Sequence, residues 1–483
     1  MADASEGRDV RVRDVVVLGG GFAGLHAARC ATMVHPERVG GGGGGDDGRF
    51  RRLDVVVLEG GDEPGGRVKV TRDLAPWDVN LGPEFVHGDE NSALKRFADA
   101  CGFATFEREW PDRYFLGDEG VLMGADEAET KNVDVKLVHE LFDELPNAPK
   151  EGEGDLTALE WLTTRVKAPE RVIKLAENIY ANDFCASLGK LGMRELIEEK
   201  KGWIYGEKYL ILDRPLREVA LALADGLDVR LGWEIESVDY SRPGAVKIKR
   251  RGSNEVITAR KCIVTLPVTT LRSECPGNRV KFIPRLPAAK VRAAETIQMG
   301  NASKVFLGFR KRLWPSDLFD VVCTNCFLPE FWITEYPKSS VAREAKSTKE
   351  AALIAETVGL VTFFVAGDLA GELDRMPEHI VFKRAIEQLD MIFDTSCAEH
   401  VTTKKIVSWS QERLVQGAYT HPTVNAGDAR MMLAAPVANT LFFAGEATHT
   451  GVNPCLQGAM ETGERAAAQV RASILGIGGH SKL

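Results

Sequence analysis

The chain has 483 residues, 44% of them hydrophobic and 27% charged, with a formal net charge of −9. That length exceeds one ordinary core, so two domains are expected, and the acidic balance argues against nucleic acid as a main partner. No apolar stretch approaches the roughly 18–20 residues of a membrane span, and nine cysteines without a spacing framework suggest reduced thiols inside a cell.

In chain order, the first element is a buried strand, Val15-Val16-Val17-Leu18, running into Gly19-Gly20-Gly21-Phe22-Ala23-Gly24 and a helix over residues 25–31. The turn has a physical logic. Gly19 allows the sharp strand-to-helix bend, Gly21 lets the backbone approach a diphosphate, and Gly24 lets the helix pack close to the sheet. Ala23 belongs to the same first turn, whose free N–H groups and dipole favour phosphate. The next strand, Leu53-Asp54-Val55-Val56-Val57-Leu58, ends at Glu59, which is placed to accept hydrogen bonds from ribose hydroxyls. The gap to this acid is longer than the usual ~20 residues. The glycine run at 40–45, followed by Asp46, Asp47 and Gly48, accounts for the excess as a flexible surface loop.

Residues 206–238 return to strand-like patterns, with 227–238 reading as paired strands, and Cys262-Ile263-Val264-Thr265-Leu266-Pro267 reads as another buried strand. Between these lie helical patterns such as Glu378–Phe393, where Ile380, Ala385, Ile386, Leu389 and Phe393 recur on one face, and a strand over 360–367. Cys323-Thr324-Asn325-Cys326 is a lone C-x-x-C; a zinc site would need a second pair or nearby histidines, so no metal is expected. Leu441-Phe442-Phe443-Ala444 repeats the strand-and-turn layout, and Leu456 opens a last helix. The expected class is α/β. A Rossmann-type domain (1–90, 206–293 and 405–475) interleaves with an α+β substrate domain (91–205 and 294–404), and 476–483 form a tail. The final Ser481, Lys482 and Leu483 match the address read by the peroxisomal import receptor.

Further motifs carry a resemblance. They are Gly65-Gly66-Arg67-Val68, Asn80-Leu81-Gly82-Pro83-Glu84-Phe85-Val86-His87-Gly88, Gly445-Glu446-Ala447-Thr448 and, above all, Asn301-Ala302-Ser303-Lys304-Val305-Phe306-Leu307-Gly308-Phe309 followed by Trp314-Pro315. Almost the whole chain resembles the flavin-containing amine oxidases, which include monoamine oxidases, polyamine oxidases and lysine-specific histone demethylases. The segment at 80–88 looks like that family's D-L-G-x-x-W-I-H-G, with Phe85 in place of the tryptophan.

The resemblance implies FAD, contacted by Gly19, Gly21, Ala23, Gly24, Glu59, Gly66, Arg67, Val68, Gly82, Glu84, Ile235, Gly445, Glu446 and Leu456. It implies that Lys304 holds a water against flavin N5. Alternation along its strand puts Lys304 on one face with Phe306 and Gly308. His87 and Phe85 would stand beside the bound amine, and Trp409 and Tyr419 would be the aromatics near the flavin face. Two departures bear on the substrate. Ala418 stands where monoamine oxidases carry the flavin-linked cysteine, so FAD would be noncovalent. The stretch Gly451-Val452-Asn453-Pro454-Cys455 lacks the second cage aromatic, which puts the monoamine class in doubt.

The activity implied is hydride transfer from an amine C–H to the flavin and then to O2, giving an imine, an aldehyde, a smaller amine and hydrogen peroxide. Polyamine oxidase is the first reading. An L-amino acid oxidase or monoamine oxidase stands as the alternative, and a flavin-binding chromatin-type or scaffold protein as a further one. The partners expected are a small-molecule amine, O2 and the import receptor.

Overall fold

The structure, a computed structural model, describes residues 11–32, 52–145, 154–273, 277–335, 349–452 and 455–475. The glycine run at 40–45, the tail from 476 onward, and Asn453 and Pro454 lie outside the described residues.

The first of two large sheets is built around Val12–Leu18. Val55–Leu58 lies parallel on one side and Asp228–Arg230 beyond it at the edge; Val256–Val264 lies parallel on the other side. The long strand Val256–Val264 has two partners along one edge. Its beginning pairs antiparallel with Val246–Arg250, and its end pairs parallel with Leu441–Phe443. Ile235–Asp239 and Lys281–Ile283 complete the sheet. The strands expected over 227–238 both form, but they do not pair with each other. Asp228–Arg230 joins Val55–Leu58, and Ile235–Asp239 joins Val246–Arg250.

Both faces of this sheet are covered, as near-continuous apolar strands require. Val15 and Val17 point to the face packed by Ala27, Ala28, Ala466 and Val470, from the helices Phe22–Thr32 and Leu456–Leu475. Val16 and Leu18 point to the opposite core, with Ile248, Val264 and Phe443. The two helices, one from each end of the chain, approach closely because residue 463 is glycine: a Cβ there would run into the Ala23 carbonyl oxygen.

The second sheet has the order Val401–Ser408, Ala302–Phe309, Gly359–Ala366, Glu330–Glu335, Asp320–Thr324, Arg113–Leu116, Val121–Gly124. It is antiparallel except between Asp320–Thr324 and Arg113–Leu116. Val401–Ser408 belongs wholly to this sheet, so a return to the first region at 405 cuts through a strand. Val305, Leu307 and Phe309 face a core shared with Phe382, Ala385 and Leu389 of the helix Glu378–Phe393. That helix buries Val381, Phe382, Ala385, Leu389 and Ile392. The expected face was therefore rotated slightly, because Val381 and Phe382 rather than Ile380 meet the sheet. A small sheet, Phe85–His87 with Tyr209–Leu212 and Thr105–Arg108, joins segments from all along the first half of the chain.

Candidate active site

The glycine turn sits where the parallel strands end. Gly19 has φ of +104°, a conformation open to glycine. At Gly24 a Cβ would strike the Gly19 carbonyl oxygen, so the helix can begin this close to the strand only without a side chain there. The Thr265 hydroxyl, at the end of the neighbouring strand, donates to the Leu18 carbonyl at 2.9 Å. Glu59 lies at the end of Val55–Leu58. Its Oε2 accepts the Gly20 N–H at 2.6 Å and its Oε1 the Gly61 N–H at 2.7 Å. The acid is thereby held against the glycine turn by backbone donors.

Residues 65–68 lie against the same turn, with the Gly65 N–H donating to the Gly20 carbonyl at 2.8 Å. Arg67 then reaches across to the last third of the chain. Its Nη1 donates to the Ala418 carbonyl at 2.7 Å and pairs with Glu446 Oε1 at 3.1 Å. Glu446 is only 5% exposed, and its Oε2 accepts the Thr420 hydroxyl at 2.5 Å. A buried carboxylate needs such partners.

A cavity of about 850 Å³ runs from this turn into the second sheet. Every residue named above as a site candidate lines it except Gly24, which acts beneath the turn. The glycine backbone at 19, 21 and 66, the acid at a strand end and two helix starts at Phe22 and Leu456 all open onto one cavity. That set of groups fits a dinucleotide: close backbone approach for the diphosphate, N–H groups for its charge and a carboxylate for ribose.

At the other end stands Lys304. All eight residues of its strand, Ala302–Phe309, are buried. Its Nζ donates to the Gly82 carbonyl at 2.6 Å and to Glu84 Oε2 at 2.9 Å, and lies 4.8 Å from the centroid of the Trp332 ring. Trp332 Nε1 donates to the same Glu84 oxygen at 2.9 Å. Glu84, expected at the cofactor, thus has its Oε2 committed to Lys304 and Trp332.

An aromatic wall surrounds this point. Trp409 Nε1 donates to the Leu81 carbonyl at 3.3 Å, and the Tyr419 hydroxyl donates to the Asp183 carbonyl at 2.8 Å. Phe85 meets Trp332 edge-on at 5.3 Å. His87 meets Tyr209 edge-on at 4.9 Å, and Tyr209 stacks on Trp110 at 5.0 Å. Burial pushes the His87 imidazole down to about 4.

Sequence reasoning missed Trp110, Asp183, Tyr209, Glu330 and Trp332, all of which line the cavity. Asp183 is raised to about 6, with burial as the cause and no donor offsetting it. Glu330 accepts Trp110 Nε1 at 2.7 Å and Asn182 Nδ2 at 3.1 Å. Burial pushes it up to about 7 and pushes its neighbour Asp320 well above the carboxylate range. The alternation of Glu330-Phe331-Trp332 was a usable signal for two side chains on one face; nothing local marked Asp183.

A family model described as flavin containing amine oxidoreductase matches residues 46–471. The chain is 26% identical to polyamine oxidase 2 of Arabidopsis thaliana, over 98% of this chain and 91% of that protein. It is 24% identical to lysine-specific histone demethylase 1B of Mus musculus, over 95% of this chain and 53% of that protein. Among solved structures, putrescine oxidase bound to putrescine superposes with a TM-score of 0.74 at 17% identity, covering 96% of this chain and 99% of that one. Cyclohexylamine oxidase from Brevibacterium oxydans gives 0.73 at 17% identity, covering 96% and 100%. At such identities these two likenesses speak for the fold.

The His87 shift sets a pH dependence. Its folded value, about 4, lies below the ordinary 6.5. The unfolded chain therefore binds more protons between these values, and stability falls as pH drops through that window. Replacing His87 by asparagine should flatten the decline in unfolding free energy between pH 6.5 and 4, measured by urea titration at several pH values. An unchanged slope would show that His87 is not buried neutral.

Proposed function

The chain belongs to the flavin-containing amine oxidoreductase family and is an enzyme of flavin-dependent amine oxidation; from that premise we propose that it is a polyamine oxidase. The observation that carries this reading is the position of the Asp183 carboxyl, which lines the cavity together with Tyr180, Phe184, Tyr209 and Tyr419, where desolvation raises it. A desolvated carboxyl of that kind gains most from an arriving cation. A substrate with a second nitrogen keeps one after its reacting nitrogen has lost its proton; a simple monoamine does not. The 26% identity to a plant polyamine oxidase over nearly the full length supports the same class.

The flavin supplies acceptance of hydride from the amine C–H and its passage to O2 as hydrogen peroxide. The protein supplies binding and orientation. The glycine turn and the start of Phe22–Thr32 take the diphosphate, Glu59 takes the ribose, and the start of Leu456–Leu475 presents N–H groups to developing negative charge. Phe85, Trp409 and Tyr419 exclude water and orient the reacting carbon. His87, neutral at physiological pH, adds no charge that would repel the amine. Lys304 has three N–H donors. Gly82 and Glu84 take two, leaving one for an ordered water at the reacting end.

FAD is held without a covalent bond, since Ala418 offers no thiol. Location is read from Ser481, Lys482 and Leu483, which lie outside the described residues; we propose delivery to peroxisomes, where hydrogen peroxide is removed.

Acid denaturation should therefore release intact FAD into the supernatant; flavin remaining with the precipitated chain would refute the noncovalent reading. An N-terminal fluorescent fusion should enter peroxisomes and lose that location when Ser481, Lys482 and Leu483 are removed; import of the truncated form would sink the address.

Asp183→Asn should raise KM for a di- or polyamine by roughly tenfold, about 1.4 kcal/mol, while changing KM for a monoamine little. Equal effects on both would exclude Asp183 as a partner of the distal ammonium. Lys304→Met should keep FAD content near wild type and lower turnover or reoxidation by O2 tenfold or more, about 1.4 kcal/mol of barrier. Stopped-flow reduction and reoxidation are the measurements, and unchanged rates in an FAD-replete variant would remove Lys304 from the mechanism.

A further inference from the structure

Glu84 occupies an unspecified position of the 80–88 motif, yet its carboxylate meets side chains from two strands of the other sheet. Its Oε2 accepts both Lys304 Nζ and Trp332 Nε1, each at 2.9 Å. The Lys304 side chain is 6% exposed and that of Glu84 is 11% exposed. We propose that Glu84 is a positioning residue that fixes Lys304 and neutralises its charge, and that this pairing sets the electron affinity of the bound flavin. The proposal rests on the reading of Lys304 as the residue at the reacting end of the cavity.

The geometry supports both parts. A lysine has a flexible four-carbon stem and three rotatable donors. Here the Gly82 carbonyl at 2.6 Å and Glu84 hold two of them, and the Trp332 ring face lies 4.8 Å from the ammonium. The ammonium is therefore held in one place. Trp332 Nε1 in turn fixes the carboxylate, so the carboxylate cannot swing away to follow another cation. In a buried setting an unpaired charge acts strongly on its neighbours, and a paired one much less. With Glu84 ionised, the local charge sums to zero. Without it, the lysine charge would act in full on anything electron-rich in the cavity, and reduced flavin is such a group.

Glu84→Gln separates charge from shape. The amide oxygen still accepts from Lys304 and Trp332, but the negative charge is gone. The test is the reduction potential of the bound flavin, measured spectroscopically against reference dyes, with anaerobic reduction and oxygen reoxidation followed separately. Glu84→Gln should shift the potential in the positive direction and speed anaerobic reduction by substrate, while Glu84→Asp, which keeps the charge, should shift it less than Glu84→Gln. Lys304→Met should shift the potential negative. A purely structural Glu84 would leave the potential of the Gln variant where it is, and that result overturns the proposal. If Lys304→Met leaves both potential and rates unchanged, the reading of Lys304 fails instead. Should Glu84→Gln not hold FAD, Trp332→Phe tests the same point by removing the donor that aims the carboxylate. It must shift the potential the same way, by less, and no shift overturns the proposal.

Discussion

The cavity exists because five parallel strands end at one level. Arg230, Leu58, Leu18, Val264 and Phe443 form a single register row across the first sheet. Parallel strands send their turns and the following helix starts out at the same edge, and that edge is where such sheets bind ligands. The glycine turn after Leu18, Glu59 after Leu58, Thr265 after Val264 and Gly445 after Phe443 are all consequences of this row. A slip of one residue in any of these strands would reverse its faces and move its turn out of the crevice.

The row is held from both faces. Gly24 and Gly463 let two helices from opposite ends of the chain close on the sheet and on each other. The apolar alternation of Val15 to Leu18 gives each face its own core. The closing helix Leu456–Leu475 thus performs two tasks: it packs on Phe22–Thr32 and brings its own first turn to the cavity. Packing and binding are coupled here, since the same close approach serves both.

The second sheet contributes charge in a place where charge is costly. Lys304 is in a strand with no exposed residue, and its ammonium is stabilised by a carbonyl, a carboxylate and an aromatic face. The carbonyl and carboxylate come from residues 82 and 84, which belong to the segment leading into the small sheet at Phe85–His87. Arg67, reaching to Ala418 and Glu446, ties the first region to the last third of the chain in the same way. These polar contacts tie the connecting segments that line the cavity to the second sheet and to the last third of the chain.

The amino-acid sequence by itself determined what local geometry demands. The turn at 19–24 needs glycine where a Cβ would strike backbone, and the acid at the next strand end follows from chain order. The strand around Lys304 is legible because alternation is a local property. The pairing of 227–238 was misread, because two strands adjacent in sequence carry no signal for which distant strand each will join. Only the tertiary structure decided what faces Lys304. Lys304 pairs with Phe364, and Phe364 with Glu330; Phe306 pairs with Thr362, and Thr362 with Trp332. This register across three antiparallel strands puts Glu330 and Trp332 on the face of Lys304. Asp183 and Glu84 reach the same cavity from other segments. Register is settled by the summed packing of whole strands, so the partners of a buried side chain depend on residues far from it in sequence.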